Sequence, residues 1–261
     1  MSDGPAILIE TGADVTLWRL NRPAARNAIS PEMKAALTAG AEAFRDDPAQ
    51  RVLVITGSGG TFCAGGDLAT MDAAAGPVAT RERLATTHAF VRLLSDVEKP
   101  VITAVNGPAV GAGTALALLG DIVIAGKGAF FQAGFPRIGA LPDMGLLHTL
   151  PRALGLPRAM DFILTDRRVE AEEALAIGLA SRIVPDAELE DTVRSIAERL
   201  AQGPGVSLGL SKRLMQLGLT ETLDSFLTRE STGQAVAFGT EDFAEGLAAF
   251  RDKRRPRFAG R

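Results

Sequence analysis

Cysteine is nearly absent. Cys63 is the only one in 261 residues, so no internal disulfide can form and a reducing compartment is expected. Histidine occurs only at positions 88 and 148, too few, with one cysteine, for a His/Cys metal site to be expected. The charge excess is small, a formal −3, which leaves no global positive field to recruit nucleic acid. The apolar stretch 109–119 is too short to span a bilayer and is interrupted by Gly111 and Gly113. Residues 1–10 lack a basic region followed by a long apolar run, so no signal peptide is expected there. A cytoplasmic protein with no membrane and no nucleic-acid partner is the expectation. With 46% hydrophobic and 23% charged residues, the chain has the ordinary balance of a globular protein with a sizeable core.

The pattern along the chain begins with strands at 6–10 and 15–20 around the turn Gly12-Ala13-Asp14. Ser30-Pro31-Glu32 reads as a helix start: Ser as N-cap, Pro at the first position, Glu in the first turn. That helix should run to about residue 45. A β-branched run at 52–56 reads as a buried strand, followed by a glycine-rich loop at 57–67. Residues 72–77 are small and read as a mobile loop, and 80–95 carry a helical period. A second strand-turn-helix unit covers 101–105, 106–111 and 112–119, with a third buried strand at 121–125. Strands alternating with helices predict a parallel α/β sheet. From about residue 146 the pattern is nearly all helical, clearest at 189–202, 208–217, 220–238 and 242–251. The expected division is an α/β core over 1–195 and a helical region over 196–261.

Several motifs do not carry function. No Lys-Ser/Thr pair follows the last glycine of 57–66, so it is not a P-loop. Leu116 stands where a third dinucleotide-binding glycine would be. Gly205-Val206-Ser207-Leu208-Gly209 has the spacing of a nucleophile elbow, yet both histidines precede Ser207 and no buried strand leads into it. The basic end at 253–257 and the two histidines read as solvated tail and helix-face residues.

Two glycine-rich turns remain, Ala64-Gly65-Gly66 and Gly111-Ala112-Gly113, each after a buried strand. Turns of this kind leave backbone N–H groups unpaired at a helix start, where negative charge is favoured. Two such groups aimed at one point make an oxyanion hole. Alone, either loop reads as a tight turn and no more. Here the sequence resembles the enoyl-CoA hydratase/isomerase, or crotonase, superfamily. Asn21-Arg22-Pro23-Ala24-Ala25-Arg26-Asn27-Ala28, Phe62-Cys63-Ala64-Gly65-Gly66-Asp67-Leu68, the block from Lys99 through Asn106-Gly107 and Gly111-Ala112-Gly113 to Asp121, and residues 246–261 resemble four family segments in order.

The resemblance implies an α/β, crotonase-like core of repeated ββα units with a C-terminal helical trimerisation region, assembling as a homotrimer or dimer of trimers. It implies an acyl-CoA substrate and no separate cofactor, coenzyme A being part of the substrate. The N–H groups of Gly66 and Ala112 would hold the thioester oxygen, Ala112 replacing a more usual glycine. Arg26 would meet the coenzyme A phosphates or adenine. Ala28, Ala64, Asp67 and Leu68 would line the nucleotide and pantetheine path. Lys253, of the same or a neighbouring subunit, would reach a phosphate. Composition alone reads Arg26 and Lys253 equally well as surface cations.

The two positions where a hydratase of this family carries glutamates hold Ala115 and Phe135. Leu141-Pro142-Asp143 instead resembles the I-P-D segment of the double-bond isomerases, notably that of the phenylacetate pathway. A single carboxylate can take a proton from C2 and return it to C4. Leu141, Met144 and Phe135 should make its surroundings apolar and raise its pKa. Asp143 also reads as a helix N-cap. The open readings are an isomerase, a hydratase or other thioester-enolate enzyme, a dehalogenase-like use of Asp143 as nucleophile, and a non-catalytic acyl-CoA binder.

Overall fold

The computed structural model describes residues 4–71 and 74–260. Two strands open the chain, β1 (Ile7–Thr11) and β2 (Val15–Leu20), paired antiparallel. Helix α1 (Pro31–Asp46) starts as its sequence signals predict, with the Ser30 side chain accepting from the Met33 N–H at 3.3 Å. Then follow β3 (Val52–Gly57), α2 (Pro77–Asp96), β4 (Val101–Val105), β5 (Ala109–Val110), α3 (Ala112–Ala117), β6 (Ile122–Gly126) and β7 (Phe130–Gln132). The rest comprises α4 (Leu146–Leu154), α5 (Leu156–Thr165), β8 (Val169–Glu170), α6 (Ala171–Ile177), β9 (Arg182–Val184), α7 (Leu189–Ala201), α8 (Gly205–Gly218), α9 (Leu223–Phe238) and α10 (Glu241–Arg251).

The main sheet has the order β1-β2-β3-β4-β6-β9, parallel except for the first pair. Central strands of such a sheet are buried on both faces. In β3, Leu53 and Ile55 join one hydrophobic cluster with Trp18, Met33, Leu37 and Phe90, while Val52 and Val54 join another with Ile102, Ile124, Val193 and Ile196. Helices α1 and α2 therefore cover one face and α7 the other. A second, small sheet has the order β5-β7-β8. The units β1-β2-α1, β4-β5-α3 and β6-β7-α4 repeat the ββα order, and in the latter two the second strand leaves the main sheet for the small one.

Several readings of the sequence differ from the structure. The segment from residue 146 holds two strands, β8 and β9, because two or three residues are too short to show a period. The turn expected at 106–111 contains β5, and β7 was not foreseen. Of the loop expected at 72–77, residues 72 and 73 lie outside the described residues, and Pro77 already belongs to α2. The serine of the elbow-like motif sits in the first turns of α8, with no strand before it. The division expected at 195/196 falls inside α7, which packs on the main sheet. No helix among the described residues is long and apolar enough to cross a membrane.

Candidate active site

The two glycine turns are joined backbone to backbone. The Cys63 N–H donates to the Pro108 carbonyl at 3.1 Å, and the Val110 N–H donates to the Cys63 carbonyl at 2.9 Å. Gly65 has φ +103°, and a Cβ there would lie 2.9 Å from the Val110 carbonyl oxygen and 3.6 Å from the Ala112 nitrogen. Only glycine permits both the dihedral and the approach. A Cβ on Gly113 would meet the Cys63 carbonyl. These contacts bring Gly66 and Ala112 to one wall.

Neither N–H at these positions has a partner among the described residues. The loop beside Gly66 is held by the Ile29 N–H to the Gly65 carbonyl (2.8 Å) and the Asp67 N–H to the Ile29 carbonyl (3.1 Å), which skip the Gly66 N–H. Ala112 is the first residue of α3, where the N–H has no intrahelical acceptor. The Thr114 hydroxyl anchors that helix start to the carbonyls of Ala109 (2.7 Å) and Gln132 (2.9 Å).

Gly66, Ala112 and Asp143 line one cavity of about 230 Å³, together with Ile29, Met71 and Met144. Asp143 lies before α4, but its side chain caps nothing. The cap position is Gly145, without a side-chain bond, and the Asp143 backbone carbonyl accepts from the Leu146 N–H at 3.0 Å. The N-cap reading therefore falls. Its Oδ1 is enclosed and has no hydrogen-bond partner, a costly arrangement that structures rarely tolerate. Burial raises the Asp143 pKa above the usual carboxylate range, against the weaker opposing pull of Lys34, Arg83, His88 and its own backbone. The next residue, Met144, holds φ +52° and is buried. A non-glycine residue in that region is strained, and such strain collects at functional sites.

Other residues singled out by the sequence scatter around this cavity. Asp67 lines it, but its carboxylate accepts from Arg22 Nη1 at 2.8 Å and caps the turn Leu68–Thr70. Ala28 gives its carbonyl to the same Arg22 Nη1 at 2.7 Å. Ala64 donates its N–H to the Arg26 carbonyl at 3.0 Å. The Arg26 side chain and Leu68 are exposed on this loop, and neither lines the cavity. Leu141 is 77% exposed and does not share the cavity with Asp143, so the apolar wall comes from Met144 instead. Phe135 is buried but lies outside the lining, and Ala115 is buried inside α3. Lys253 is exposed beyond α10, away from the cavity of its own chain.

The sequence reading missed four contributors. Asn27, buried and left-handed at φ +57°, donates to the carbonyls of Ser58 (2.9 Å) and Thr61 (2.7 Å), so it fixes the glycine loop. Arg22 clamps Ala28 to Asp67. Lys34 and Arg83 line the cavity beside Asp143. The signal for Lys34 was present: it lies between Met33 and Leu37, at the edge of the buried stripe of α1. Cys63 is fully buried with its thiol pushed up to about 12, which removes it as a nucleophile at neutral pH.

The enoyl-CoA hydratase/isomerase family model matches residues 10–261. The chain belongs to this family. It is 39% identical to a 1,2-epoxyphenylacetyl-CoA isomerase of Escherichia coli (strain K12), over 98% of each chain. It is 38% identical to a probable enoyl-CoA hydratase of Rhodobacter capsulatus, again over 98% of each. The crystal structure of an enoyl-CoA hydratase from Bacillus anthracis superposes with a TM-score of 0.93 at 31% identity, covering 98% of this chain and 100% of the other. This family member thus has the crotonase fold and acts on acyl-CoA. Enzymes of the family need no cofactor, because coenzyme A belongs to the substrate.

Proposed function

We propose that this family member is an enoyl-CoA isomerase that moves a double bond from the 3,4 to the 2,3 position of the acyl chain. The supporting observation is a single enclosed carboxylate in one cavity with two unpartnered backbone donors. The Asp143 carboxylate takes a proton from C2. The C–H electron pair moves toward the thioester, and the negative charge on its oxygen falls between the N–H groups of Gly66 and Ala112. Protonated Asp143 returns the proton to C4, the 2,3 double bond forms and the carbonyl is restored. No atom is gained or lost, so one acid–base group suffices. Water addition has no equivalent support, since Ala115 and Phe135 offer no carboxylate to activate water.

In the same reading, Arg26 and Lys253 meet coenzyme A phosphates, and the loop Ala64, Asp67, Leu68 with Ala28 guides the pantetheine arm. Leu141, exposed two residues before Asp143, would cover the acyl group on binding. The helical region 196–261 would build a homotrimer or a dimer of trimers in the cytoplasm. Exposed Phe238, Phe243, Leu247 and Phe250 support this, because a lone subunit leaves them in water. Light scattering at micromolar concentration should give the mass of three or six chains, and a monomer would refute it.

The deciding experiment offers 2-enoyl-CoA and 3-enoyl-CoA thioesters and scores double-bond shift and water addition separately. Wild type should shift 3-enoyl-CoA and hydrate poorly. Ready hydration without a shift would replace this reading with a hydratase. Turnover neither way, with tight thioester binding, would leave a binder.

A further inference from the structure

Asp166 follows the last residue of α5 and holds φ +50°, a region that glycine enters freely and aspartate at a cost. Its side chain is 11% exposed, and both carboxylate oxygens are occupied. Oδ1 accepts from the Gly134 N–H at 2.6 Å. Oδ2 accepts from Arg137 Nε at 2.6 Å and from Gln132 Nε2 at 3.3 Å. The Asp166 backbone carbonyl accepts from the same Gln132 Nε2 at 2.8 Å. All these donors lie on one segment, 132–137, which begins at the end of β7. That segment backs the turn into α3. The Gln132 carbonyl accepts from the Gly111 N–H at 3.0 Å and from the Thr114 hydroxyl at 2.9 Å. Gly134 has φ +72°, and a Cβ there would lie 2.8 Å from Val110 Cγ1 and 3.4 Å from the Gly111 nitrogen. Helix α3 is only six residues long, and no side chain caps its N-terminus. The direction of its first peptide is therefore set by what stands behind Gly111.

We propose that Asp166 is a positioning residue of the oxyanion hole. Through Gly134 and Gln132 it fixes the peptide between Gly111 and Ala112, so that the Ala112 N–H points at the thioester oxygen. The proposal rests on the reading of Gly66 and Ala112 as the donors to that oxygen. Asp166 lines no part of the cavity that holds Asp143, so it acts through this backbone and not on the substrate. A donor to a developing oxyanion is effective only if it is aimed before the charge appears. Hydrogen bonds from N–H groups to an ionised carboxylate are the strong kind, suited to holding a peptide in one direction. A tilt of that peptide would weaken charge stabilisation at the oxygen and leave the grip on the rest of the thioester unchanged.

The test uses Asp166→Gly and Asp166→Asn, read by the infrared carbonyl band of bound hexanoyl-CoA, isotopically labelled at the thioester carbon. This saturated thioester cannot undergo the double-bond shift, so the band reports polarisation of the carbonyl whether or not the isomerase assignment stands. Glycine adopts the left-handed conformation without strain, so Asp166→Gly deletes the carboxylate without straining the backbone. Asparagine also tolerates that conformation and keeps an oxygen for the Gly134 N–H. Wild type should displace the band to lower frequency than that of the free thioester. Asp166→Gly should lose much of the displacement and keep the Kd for hexanoyl-CoA. Its kcat for the double-bond shift should fall about tenfold or more, up to the cost of losing one oxyanion donor. Asp166→Asn should recover most of both. A band in Asp166→Gly at the wild-type position overturns the proposal even if Tm falls, because that marks a merely structural carboxylate. An Asp166→Asn that recovers nothing overturns it too, because the link assigned is the hydrogen bond to Gly134. If wild type does not displace the band at all, the reading of Gly66 and Ala112 as donors falls, and the positioning role with it.

Discussion

Two aspartates of this chain are withdrawn from water under opposite conditions. Asp242, in the first turn of α10, is 3% exposed, and its carboxylate accepts from the Ala259 N–H at 2.6 Å and from the Gly260 N–H at 2.9 Å. Asp143 keeps an enclosed Oδ1 with no partner. The first arrangement is satisfied and ties the end of the chain to the last helix. The second is unsatisfied, next to a strained Met144 and opposite two unpaired N–H groups. A fold that satisfies one carboxylate and leaves the other bare separates structural from chemical use of the same residue type.

The largest expected effect tests the chemical side. Asp143→Asn keeps the shape but cannot carry the proton, so double-bond shift on a 3-enoyl-CoA should fall by on the order of hundreds-fold. Thioester binding should persist, because Gly66 and Ala112 donate from backbone. Full activity in the variant would end the comparison. The wild-type rate should rise with pH, since the ionised form is the base. Its midpoint should lie above that of an exposed aspartate, because burial opposes ionisation more than Lys34 and Arg83 of α1 and α2, His88 of α2 and the residue's own backbone assist it. A rate that is flat from the ordinary aspartate range upward would contradict this.

On the structural side, Asp242→Ala leaves the N–H groups of Ala259 and Gly260 without their acceptor. It should cost about 2 kcal/mol, and lower Tm by about 4–8 °C in a chain of this size. The chain end should become sensitive to protease. The chemical step of the folded fraction should change little, which is the contrast with Asp143→Asn. An intermediate case is Lys212, almost buried on α8, whose Nζ donates to Asp121 Oδ2 at 2.8 Å and to the Lys99 carbonyl at 3.1 Å. The Asp121 side chain is a quarter exposed, at 25%. Lys212→Met should therefore cost about 1–2 kcal/mol, between the exposed and the buried limits. Thermal unfolding measures it, and an unchanged Tm would show that the pair contributes nothing.

How far this was legible in the sequence depended on the range of the signal. Local signals carried the strands of the main sheet and the start of α1, since Ser30-Pro31-Glu32 announces a helix and 52–56 a buried strand. The α/β class and the family were readable from motifs that are contiguous. The small sheet was not, because β5 and β8 have two residues each and only their pairing with β7 makes them strands. The cap reading of Asp143 failed because a cap depends on φ and ψ at Gly145 and Met144, which no spacing reveals. Lys34 and Arg83 were missed for a related reason. They lie 49 positions apart on two helices, and only packing brings them to one cavity. Leu141 was placed by adjacency to Asp143, but two residues apart in an irregular segment one side chain is exposed and the other lines the cavity.

The smallest expected effect returns to Asp143 and concerns stability. Its folded-state pKa is raised by burial, while in the unfolded chain it is that of an exposed aspartate. Below about pH 3 both states carry the proton, and this group adds no pH dependence. As pH rises through the ordinary aspartate range, the unfolded state ionises first, so the folded wild type loses stability relative to it. The loss stops once the folded carboxyl has ionised as well. Asp143→Asn has no such titration. The Tm of the variant minus that of wild type should therefore climb with pH and level off, at about 2–4 °C if the cost is near 1 kcal/mol. One influence opposes this gain. Asp143 offsets part of the mutual repulsion of Lys34 and Arg83, and the amide removes that help. Burial is the largest effect on Asp143, so the net sign should be stabilising. A variant less stable than wild type across the range would show instead that the two cations depend on Asp143 more than burial penalises it.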